Sequence, residues 1–258
     1  MIDITAILNV HHEGVLAHAS LESMRRTRDT AEAAGLRVEI LVIADCPDQP
    51  TLDYFVDATD VRLIQTAVDD LGLARNVGVS EAQGAFVAFL DGDDLWGPAW
   101  LLSAHNAARS DRRGVVWHPE ANLYFGPNQE GWWLMHPEME EAEGDWVTLG
   151  MRNHWTALSF GETAIYRKVP YRRTDLATGF GYEDWSWNSE VVAQGYLHRP
   201  VPGTIHMIRV RDMSLLRRTI GAGALPTRSS LFPSRIGWSR KVGSAGIAAV
   251  RVHDPPPG

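Results

Sequence analysis

Three aspartates in four positions follow directly on an apolar run in this chain of 258 residues. The run spans residues 85–90 and is followed by Asp91, Gly92, Asp93 and Asp94. A buried strand that ends in carboxylates carries negative charge to the carboxyl edge of a sheet, where open α/β folds bind ligands. Carboxylate oxygens suit Mg²⁺ and Mn²⁺, which commonly share their ligands with a diphosphate. The tetrad therefore indicates metal-assisted nucleotide chemistry, although an acidic strand-to-helix turn fits the same residues.

Composition excludes several other kinds of protein. The single cysteine, Cys46, rules out an internal disulfide framework and a cysteine-rich zinc site, and we expect it to be a small buried residue. No apolar stretch approaches the roughly 20 residues that span a bilayer, and the N-terminus lacks a signal-peptide pattern. We therefore expect a cytoplasmic protein.

Charge is distributed unevenly along the chain. Residues 1–198 carry 30 acidic and 14 basic side chains, whereas residues 199–241 carry one aspartate and nine arginines or lysines. This basic segment is a candidate contact for a diphosphate, for an anionic membrane surface or for the acidic body of the same protein. A solvated tail is the alternative, since several glycines and prolines interrupt any continuous helix. We expect no nucleic-acid partner, because the body is acidic and shows no recognisable binding motif.

Hydrophobic periodicity places the tetrad at the end of one strand in a series. Strands are predicted at residues 2–10, 36–44, 61–66 and 85–90, with helices at 13–34 and 71–82. Strands that alternate with helices predict an α/β fold with a doubly wound, mainly parallel sheet. The loops after Val10, Ala44 and Leu90 would then lie along one edge.

The pattern changes beyond Pro98. A helix is predicted at residues 100–108, short antiparallel strands at 115–118, 122–125 and 132–135, a further strand at 157–167 and a helix at 183–194. No internal repeat divides the chain. We predict a single domain over residues 1–258, with a nucleotide-binding half (1–97), a smaller, antiparallel acceptor half (98–215) and a basic C-terminal extension (216–258).

The order of the motifs resembles the family 2 glycosyltransferases, whose fold is called GT-A. Two segments carry the resemblance most strongly, Ala74-Arg75-Asn76-Val77-Gly78 and Asp91-Gly92-Asp93, and the similarity extends from Ile4 to Leu215. It implies transfer of a sugar from a nucleotide-diphosphate donor, with inversion at the anomeric carbon. It also implies Mn²⁺ or Mg²⁺ on the diphosphate, and UDP or GDP as the nucleotide.

The resemblance also implies roles on the donor side. Asp93 matches the metal ligand, and Asp91 matches a carboxylate near the donor ribose or the waters of the metal. The remaining predicted donor contacts are Val10, Glu13, Asp45, Arg75, Asn76 and Gly92. Capping of the following loop is the alternative for Asp45, and helix capping with a surface salt bridge is the alternative for Arg75 and Asn76. Residues 46–50 depart from the family pattern, so the base stays open.

The closing segment at residues 205–215 resembles the family's Tyr-Arg-x-His-x-x-Ser. Arg209 and Ser214 match this pattern, and Arg211 stands at the histidine position. Two arginines on one short strand face the same way and can clamp a diphosphate. His206 is a candidate metal ligand, with a packed strand residue as the alternative.

Glu183 and Asp184 resemble the family's Glu-Asp motif at the start of a helix beneath the acceptor. An inverting displacement needs a base that removes the acceptor's hydroxyl proton, and we predict Asp184 for that role. Glu183 is the alternative base, or the residue that orients the site. Acidic residues also favour helix N-termini without any catalysis. Asn153 lies where the family often lines the donor-sugar pocket, and among ten tryptophans we expect one or two exposed in a groove.

The sequence thus predicts a metal-dependent inverting glycosyltransferase that moves a sugar to a saccharide or lipid-linked acceptor, in synthesis of a cell-envelope or surface polysaccharide. Peripheral contact with the inner face of the membrane through the basic segment is part of this hypothesis. The alternative is a non-catalytic nucleotide-sugar-binding module of a glycan assembly. A nucleotidyltransferase is a third hypothesis, disfavoured because no Gly-rich basic loop follows the first predicted strand.

Overall fold

The computed structural model describes residues 1–127, 130–140, 146–211 and 214–233. The strands are β1 Ile4–Val10, β2 Val38–Asp45, β3 Arg62–Thr66, β4 Phe86–Asp91, β5 Leu95–Trp96, β6 Val115–Phe125, β7 Trp132–Met135, β8 Phe160–Glu162, β9 Phe180–Gly181, β10 Leu197–Arg209 and β11 Leu225–Pro226. The α-helices are α1 Ala17–Ala33, α2 Gln49–Val56, α3 Leu71–Glu81, α4 Trp100–Ser110, α5 Trp146–Leu149, α6 Thr163–Lys168, α7 Glu183–Ala193 and α8 Leu215–Gly221.

The first half is a parallel sheet between helices, as the alternating pattern predicts. Its strand order is β3-β2-β1-β4, and each neighbouring pair is parallel. β1 is buried along its whole length, because helices cover both faces of the sheet. Leu21 and Met24 of α1 pack on one face, and Ala74 and Val79 of α3 pack on the other.

The second half extends the same sheet in the order β4-β8-β6-β10-β5, with β7 paired to β6. β8 runs antiparallel to β4 and β6, while β7 and β5 run antiparallel to β6 and β10. The long pair β6 and β10 is parallel, so the prediction of purely antiparallel additions was wrong at this pair.

Three predicted strand segments differ from the structure. The runs at 115–118 and 122–125 form one continuous strand, β6, which passes through Pro119. β10 has a register shift between Val201 and Ile205, opposite this proline, which accommodates the missing N–H. Of the predicted strand at 157–167, only three residues form a strand, β8, and the chain then continues as helix α6. The sequence could not separate the two, because a short apolar run fits a strand and a buried helix equally well.

Helix α2 was not predicted, although the sequence contains its start signal. The Asp48 side chain caps the helix by accepting the N–H of Thr51, and Pro50 lies in the first turn. Cys46, which precedes the helix, is partly exposed rather than buried.

The described part of the basic segment folds back on the body. Thr227 donates its N–H to Ser186 Oγ, and Ser230 donates its N–H to Glu190 Oε2, so the chain runs along α7. Arg235, Arg240 and Lys241 lie outside the described residues, as does the acidic stretch 141–145. Among the described helices, none is both long and apolar enough to cross a bilayer.

Candidate active site

The ends of three parallel strands bring polar residues to one edge of the sheet. Asn9 of β1 pairs with Asp91 of β4, and Asp45 ends β2 on the other side of β1. The prediction that the loops after these strands share one edge is therefore confirmed. Backbone strain lies at the same place: the described non-glycine residues with positive φ are Cys46, Asp69 and Tyr182. Cys46 follows Asp45, the N–H of Asp69 binds Asp45, and Tyr182 precedes Glu183, so each lies at a predicted site residue.

Arg75 joins the two halves of the site. Its side chain is 1% exposed, and its Nη2 donates to both carboxylate oxygens of Asp91, at 3.0 and 3.1 Å. Its Nη1 donates to Glu183 Oε1 at 2.9 Å. A guanidinium fork suits this double role, because its donors point in fixed directions. Because Arg75 lies on α3, this helix sets the distance between Asp91, the predicted donor-side acid, and the predicted acceptor-side pair Glu183 and Asp184.

The tetrad packs against the end of β1 through Gly92. A Cβ at Gly92 would lie 2.9 Å from Val10 Cγ1 and 3.0 Å from the carbonyl oxygen of Asn9, so a larger residue would displace the turn. The carboxylate of Asp94 is buried and accepts the N–H of Arg209 at 2.7 Å. Asp94 therefore fixes β10 to the tetrad.

Asp93 is held in an acidic, largely buried environment. Arg211 Nε lies 2.7 Å from Asp93 Oδ2, and Arg211 Nη2 donates to Glu13 Oε1 at 3.3 Å. Burial first, and the nearby carboxylates of Asp91 and Glu13 after it, raise the pKa of Asp93 to about 6, although the charge of Arg211 opposes the increase. The guanidinium of Arg211 contacts both carboxylates and offsets part of their negative charge.

The carboxylates fit a divalent cation only if a further ligand completes its shell. The described residues contain no group of three or more His, Cys, Asp or Glu side chains arranged to hold a metal ion. Mg²⁺ usually keeps several waters and binds through one or two carboxylates and the phosphates of the substrate. Asp93, with Asp91 beside it, has the donor chemistry for such a shared site.

Arg209 and Arg211 both reach the tetrad, whereas His206 does not. Arg209 Nε donates to the Asp93 carbonyl oxygen at 3.2 Å, and its guanidinium lies over Phe125. His206 is completely buried, and its ring meets Trp100 edge-on at a centroid distance of 4.6 Å. Because successive strand residues point to opposite faces, His206 and Arg209 of β10 face opposite ways. The structure thus favours a packed strand residue over a metal ligand for His206.

Two other predicted donor contacts already have protein partners. The carboxylate of Asp45 accepts the backbone N–H groups of Val68, Asp69 and Asp70. Asp45 therefore holds the loop between β3 and α3, which is a capping role for a loop distant in sequence. The amide of Asn76 donates to the carbonyl oxygen of Tyr171 and accepts its N–H, so Asn76 fixes the chain beneath the site. Direct contact of either residue with a donor stays a prediction.

The acid pair opens helix α7 immediately after Tyr182, whose φ is 55°. Asp184 Oδ2 accepts the side-chain N–H of Asn153 at 2.9 Å. The side-chain Oδ1 of Asn153 accepts the side-chain N–H of Asn188, also at 2.9 Å. Burial first, and the neighbouring charge of Glu183 second, raise the pKa of Asp184 to about 7. A carboxylate with a pKa near neutrality suits a general base.

The sequence analysis did not identify what Asn153 and Asn9 do at the site. The side-chain amide of Asn153 holds Asp184, while its place in the donor-sugar pocket stays a prediction. Asn9 is 5% exposed at the end of β1, and neither end of its amide has a hydrogen-bond partner in the described chain. Its signal in the sequence was an amide side chain near the end of a mainly apolar strand.

Comparisons with known proteins agree with this geometry. The model of the family described as "Glycosyl transferase family 2" matches residues 5–173. The chain belongs to the family 2 glycosyltransferases. The resemblance that the motifs carry is thereby confirmed, and the ends of β1, β2 and β4 with the tetrad all lie within the matched residues.

Named relatives include "Uncharacterized glycosyltransferase YibD" of Escherichia coli (strain K12), 23% identical over 192 residues that are 70% of this chain and 55% of YibD. Another is "Succinoglycan biosynthesis protein ExoO" of Rhizobium meliloti (strain 1021), 34% identical over 88 residues, which are 33% of this chain and 25% of ExoO. This chain therefore spans 55% of the length of YibD and a quarter of ExoO.

Solved structures of S. aureus TarS have the same fold. TarS 1-349 in complex with UDP-GlcNAc superposes with a TM-score of 0.62 and 15% identity, over 96% of this chain and 68% of that one. A second crystal structure of TarS 1-349 gives a TM-score of 0.59 and 15% identity over 94% of this chain and 74% of that one. The predicted GT-A fold is confirmed, with a curled mixed sheet.

Proposed function

We propose that this protein transfers a glycosyl group from a nucleotide-diphosphate sugar to a saccharide or lipid-linked acceptor, with inversion at the anomeric carbon. The observation that carries the proposal is the double ion pair of Arg75, which ties the donor-side Asp91 to the acceptor-side Glu183. A donor bound at the tetrad therefore has the first turn of α7 as its neighbour, and Asp184 stands there with a pKa near neutrality.

In the reaction, the acceptor's hydroxyl oxygen attacks the anomeric carbon from the side opposite the diphosphate. Asp184 takes the hydroxyl proton while the new C–O bond forms, and the bond between the anomeric carbon and the diphosphate oxygen breaks. The nucleotide diphosphate leaves with the electron pair. Asn153 orients the Asp184 carboxylate, and Glu183, neutralised by Arg75, orients the helix start.

The leaving diphosphate needs positive charge. Arg211 and Arg209 lie at the tetrad and are the proposed clamp, with Arg211 exchanging Asp93 for a phosphate oxygen. A divalent cation held by Asp93 and the diphosphate would neutralise further charge on the leaving group. Manganese or magnesium dependence is thus part of the proposal.

UDP is the proposed donor nucleotide, with GDP as the alternative. TarS, which has the same fold, was crystallised with UDP-GlcNAc and with UDP. The relative ExoO is named as a succinoglycan biosynthesis protein, which supports a polysaccharide acceptor and a role in the synthesis of an envelope or surface glycan.

Contact with a membrane surface is a further part of the proposal. Helix α8 exposes Leu216 and Ile220, which are four residues apart, and its polar positions include Arg217 and Arg218. Apolar side chains beside arginines suit the interface of an anionic bilayer. Sedimentation with phosphatidylglycerol vesicles should carry the protein down at low salt and release it at high salt; sedimentation that is equal with neutral vesicles would contradict membrane contact.

The transfer proposal is tested by nucleotide release from a panel of UDP- and GDP-sugars. Wild type should release nucleotide from one donor, and Asp184→Asn, which cannot accept the proton, should lose at least a hundredfold in rate, as expected for removal of a general base. Asp175→Asn, an exposed turn residue, is the matched control. Equal rates for wild type and Asp184→Asn would contradict the role of the base.

A further inference from the structure

Two adjacent tryptophans on the edge strand β7 are exposed. Trp132 is 48% exposed and Trp133 is 60% exposed. Side chains of this size bury large apolar areas in most proteins, and exposed aromatic surface commonly marks a binding site. Two tryptophans are thus exposed on β7, and their position in a groove stays a prediction.

The strand register separates the two tryptophans. β7 pairs antiparallel with β6, so that Trp132 lies opposite Tyr124 and Trp133 lies opposite Leu123. Residues paired across strands share a face, and successive residues point to opposite faces. Trp132 therefore shares a face with Tyr124, and Trp133 points to the other side of the sheet.

Trp132 is held in a fixed plane. Its ring lies flat on the Tyr124 ring, with centroids 3.8 Å apart and planes 3° apart. Tyr124 thus covers one face of the indole and leaves the opposite face open, in keeping with the exposed fraction. An aromatic surface that is already ordered loses little conformational entropy when a ligand stacks on it.

The same face of the sheet leads to the acid pair. Asn122, two residues before Tyr124 on β6, donates its side-chain N–H to Thr156 Oγ1 at 3.3 Å. Thr156 is three residues beyond Asn153, which holds Asp184. Asn122 thus joins the face of β6 that carries Tyr124 to the segment 153–156, whose first residue binds the carboxylate of Asp184.

Electrostatics agrees with this geometry. Burial raises the pKa of Tyr124 to about 12, and the charges of Asp184 and Asp94 contribute to the increase. The charges of Asp184 and Asp94 therefore reach Tyr124 through the protein interior, which supports the connection made by the strand and its hydrogen bonds.

The chemistry of the acceptor identifies the ligand of this surface. The reacting hydroxyl must lie at Asp184, so the rest of the acceptor extends outward from there. A pyranose ring has an apolar C–H face that stacks on an aromatic ring and hydroxyls at its rim that stay in water. A flat exposed indole on the face that leads to the segment 153–156 suits such a ring better than it suits a phosphate or a charged peptide.

We propose that Trp132, supported by Tyr124, is an acceptor subsite that stacks on a pyranose ring of a saccharide chain. The proposal rests on the proposed function, because it takes Asp184 as the point from which the acceptor extends. Trp133, on the opposite face, takes no part in this subsite and is the matched control.

The test uses the full chain saturated with UDP and three disaccharide probes: cellobiose, maltose and N,N′-diacetylchitobiose. Saturation-transfer NMR and titration measure the contacts and the dissociation constant. At least one probe should bind wild type, with the strongest transfer to C–H protons on one ring face. Trp132→Ala should weaken its binding about tenfold, as expected for the loss of one aromatic stack, while Trp132→Phe retains part of it. Trp133→Ala should bind like wild type.

Separate outcomes overturn this subsite and the proposed function. Equal binding by Trp132→Ala and wild type, an equal loss in Trp133→Ala, or no binding of any probe to wild type overturns the subsite. In each of these cases, retained UDP binding leaves the proposed function standing. Failure of wild type to bind either UDP or GDP overturns the proposed function and this subsite with it. The melting temperature of each variant reports whether the β6–β7 hairpin survives.

Discussion

Asp184 and its neighbour Glu183 show how environment divides roles between two carboxylates of almost identical chemistry. Glu183 is paired with the buried Arg75, whereas the hydrogen bonds that Asp184 accepts from the described residues come from neutral groups, Asn153 and the N–H of Trp185. Burial without a cationic partner raises a carboxyl pKa, and the value of about 7 suits a base at neutral pH. The sequence predicted Asp184 as the base with Glu183 as the alternative. It could not exclude Glu183, because the difference between the two acids depends on partners far away in the chain.

A pH profile tests the role of Asp184 and its link to Asn153. The rate of nucleotide release should fall as pH drops through about 7, because the protonated acid cannot accept the hydroxyl proton. Asn153→Ala removes an N–H that stabilises the charged carboxylate, which raises the pKa of Asp184. The acid limb should therefore move upward by roughly one pH unit, the size expected for one hydrogen bond to a charged group.

Initial rates across the neutral range, measured at saturating donor, give the limb of each variant. Gln194→Ala, at the exposed far end of α7, is the control and should keep the wild-type profile. An unchanged limb in Asn153→Ala would contradict its positioning role, even if the overall rate falls.

Among the elements, α3 has the largest effect on the site. It lies against β1 and β2, and it carries Arg75 into the junction of the two halves. The sequence predicted this helix and its Arg75-Asn76 pair. It could not show that Arg75 is buried or that its second partner is 108 residues away, because no local pattern encodes a contact of that range.

Arg75→Met should destabilise the fold strongly. The substitution retains apolar volume but leaves Asp91 and Glu183 without a cation, and loss of one partner from a buried pair typically costs about 3–5 kcal/mol. The free energy of unfolding in urea should fall by an amount in this range. Arg37→Met removes a pair with Asp3 on an arginine side chain that is 55% exposed, and it should cost less than about 1 kcal/mol. Equal small losses in both variants would contradict the central role of Arg75.

Sequence reasoning was most accurate for elements with strong periodicity. β1, β2, β4 and the helices α1, α3 and α7 lie within a few residues of their predicted bounds. Errors concentrate in the second half, where β6 and β10 pair in parallel and β8 is short. The order of strands there depends on long-range pairing, and the apolar pattern of a short run does not specify it.

At the scale of the whole molecule, the site is assembled from the ends of β1, β2 and β4, the start of α7 and the end of β10. Motif spacing identified most of these segments, because strand ends in an α/β sheet converge on one edge. The partners of Asp45, Asn76 and Arg211 could not be derived in the same way, since each lies on a different element. Division at residue 97 stays a prediction, and one continuous sheet includes strands from both sides of it.

Calorimetric titration of UDP and GDP, each with and without Mn²⁺, tests the central claim most directly. Wild type should bind one of the two, UDP by our proposal, more tightly with Mn²⁺ present. Asp93→Ala should remove the metal-dependent part of the affinity, while Asp29→Ala, on the exposed side of α1, should behave as wild type. Binding of neither nucleotide to wild type, or binding that both Mn²⁺ and Asp93→Ala leave unchanged, would contradict the account of the tetrad as a donor site.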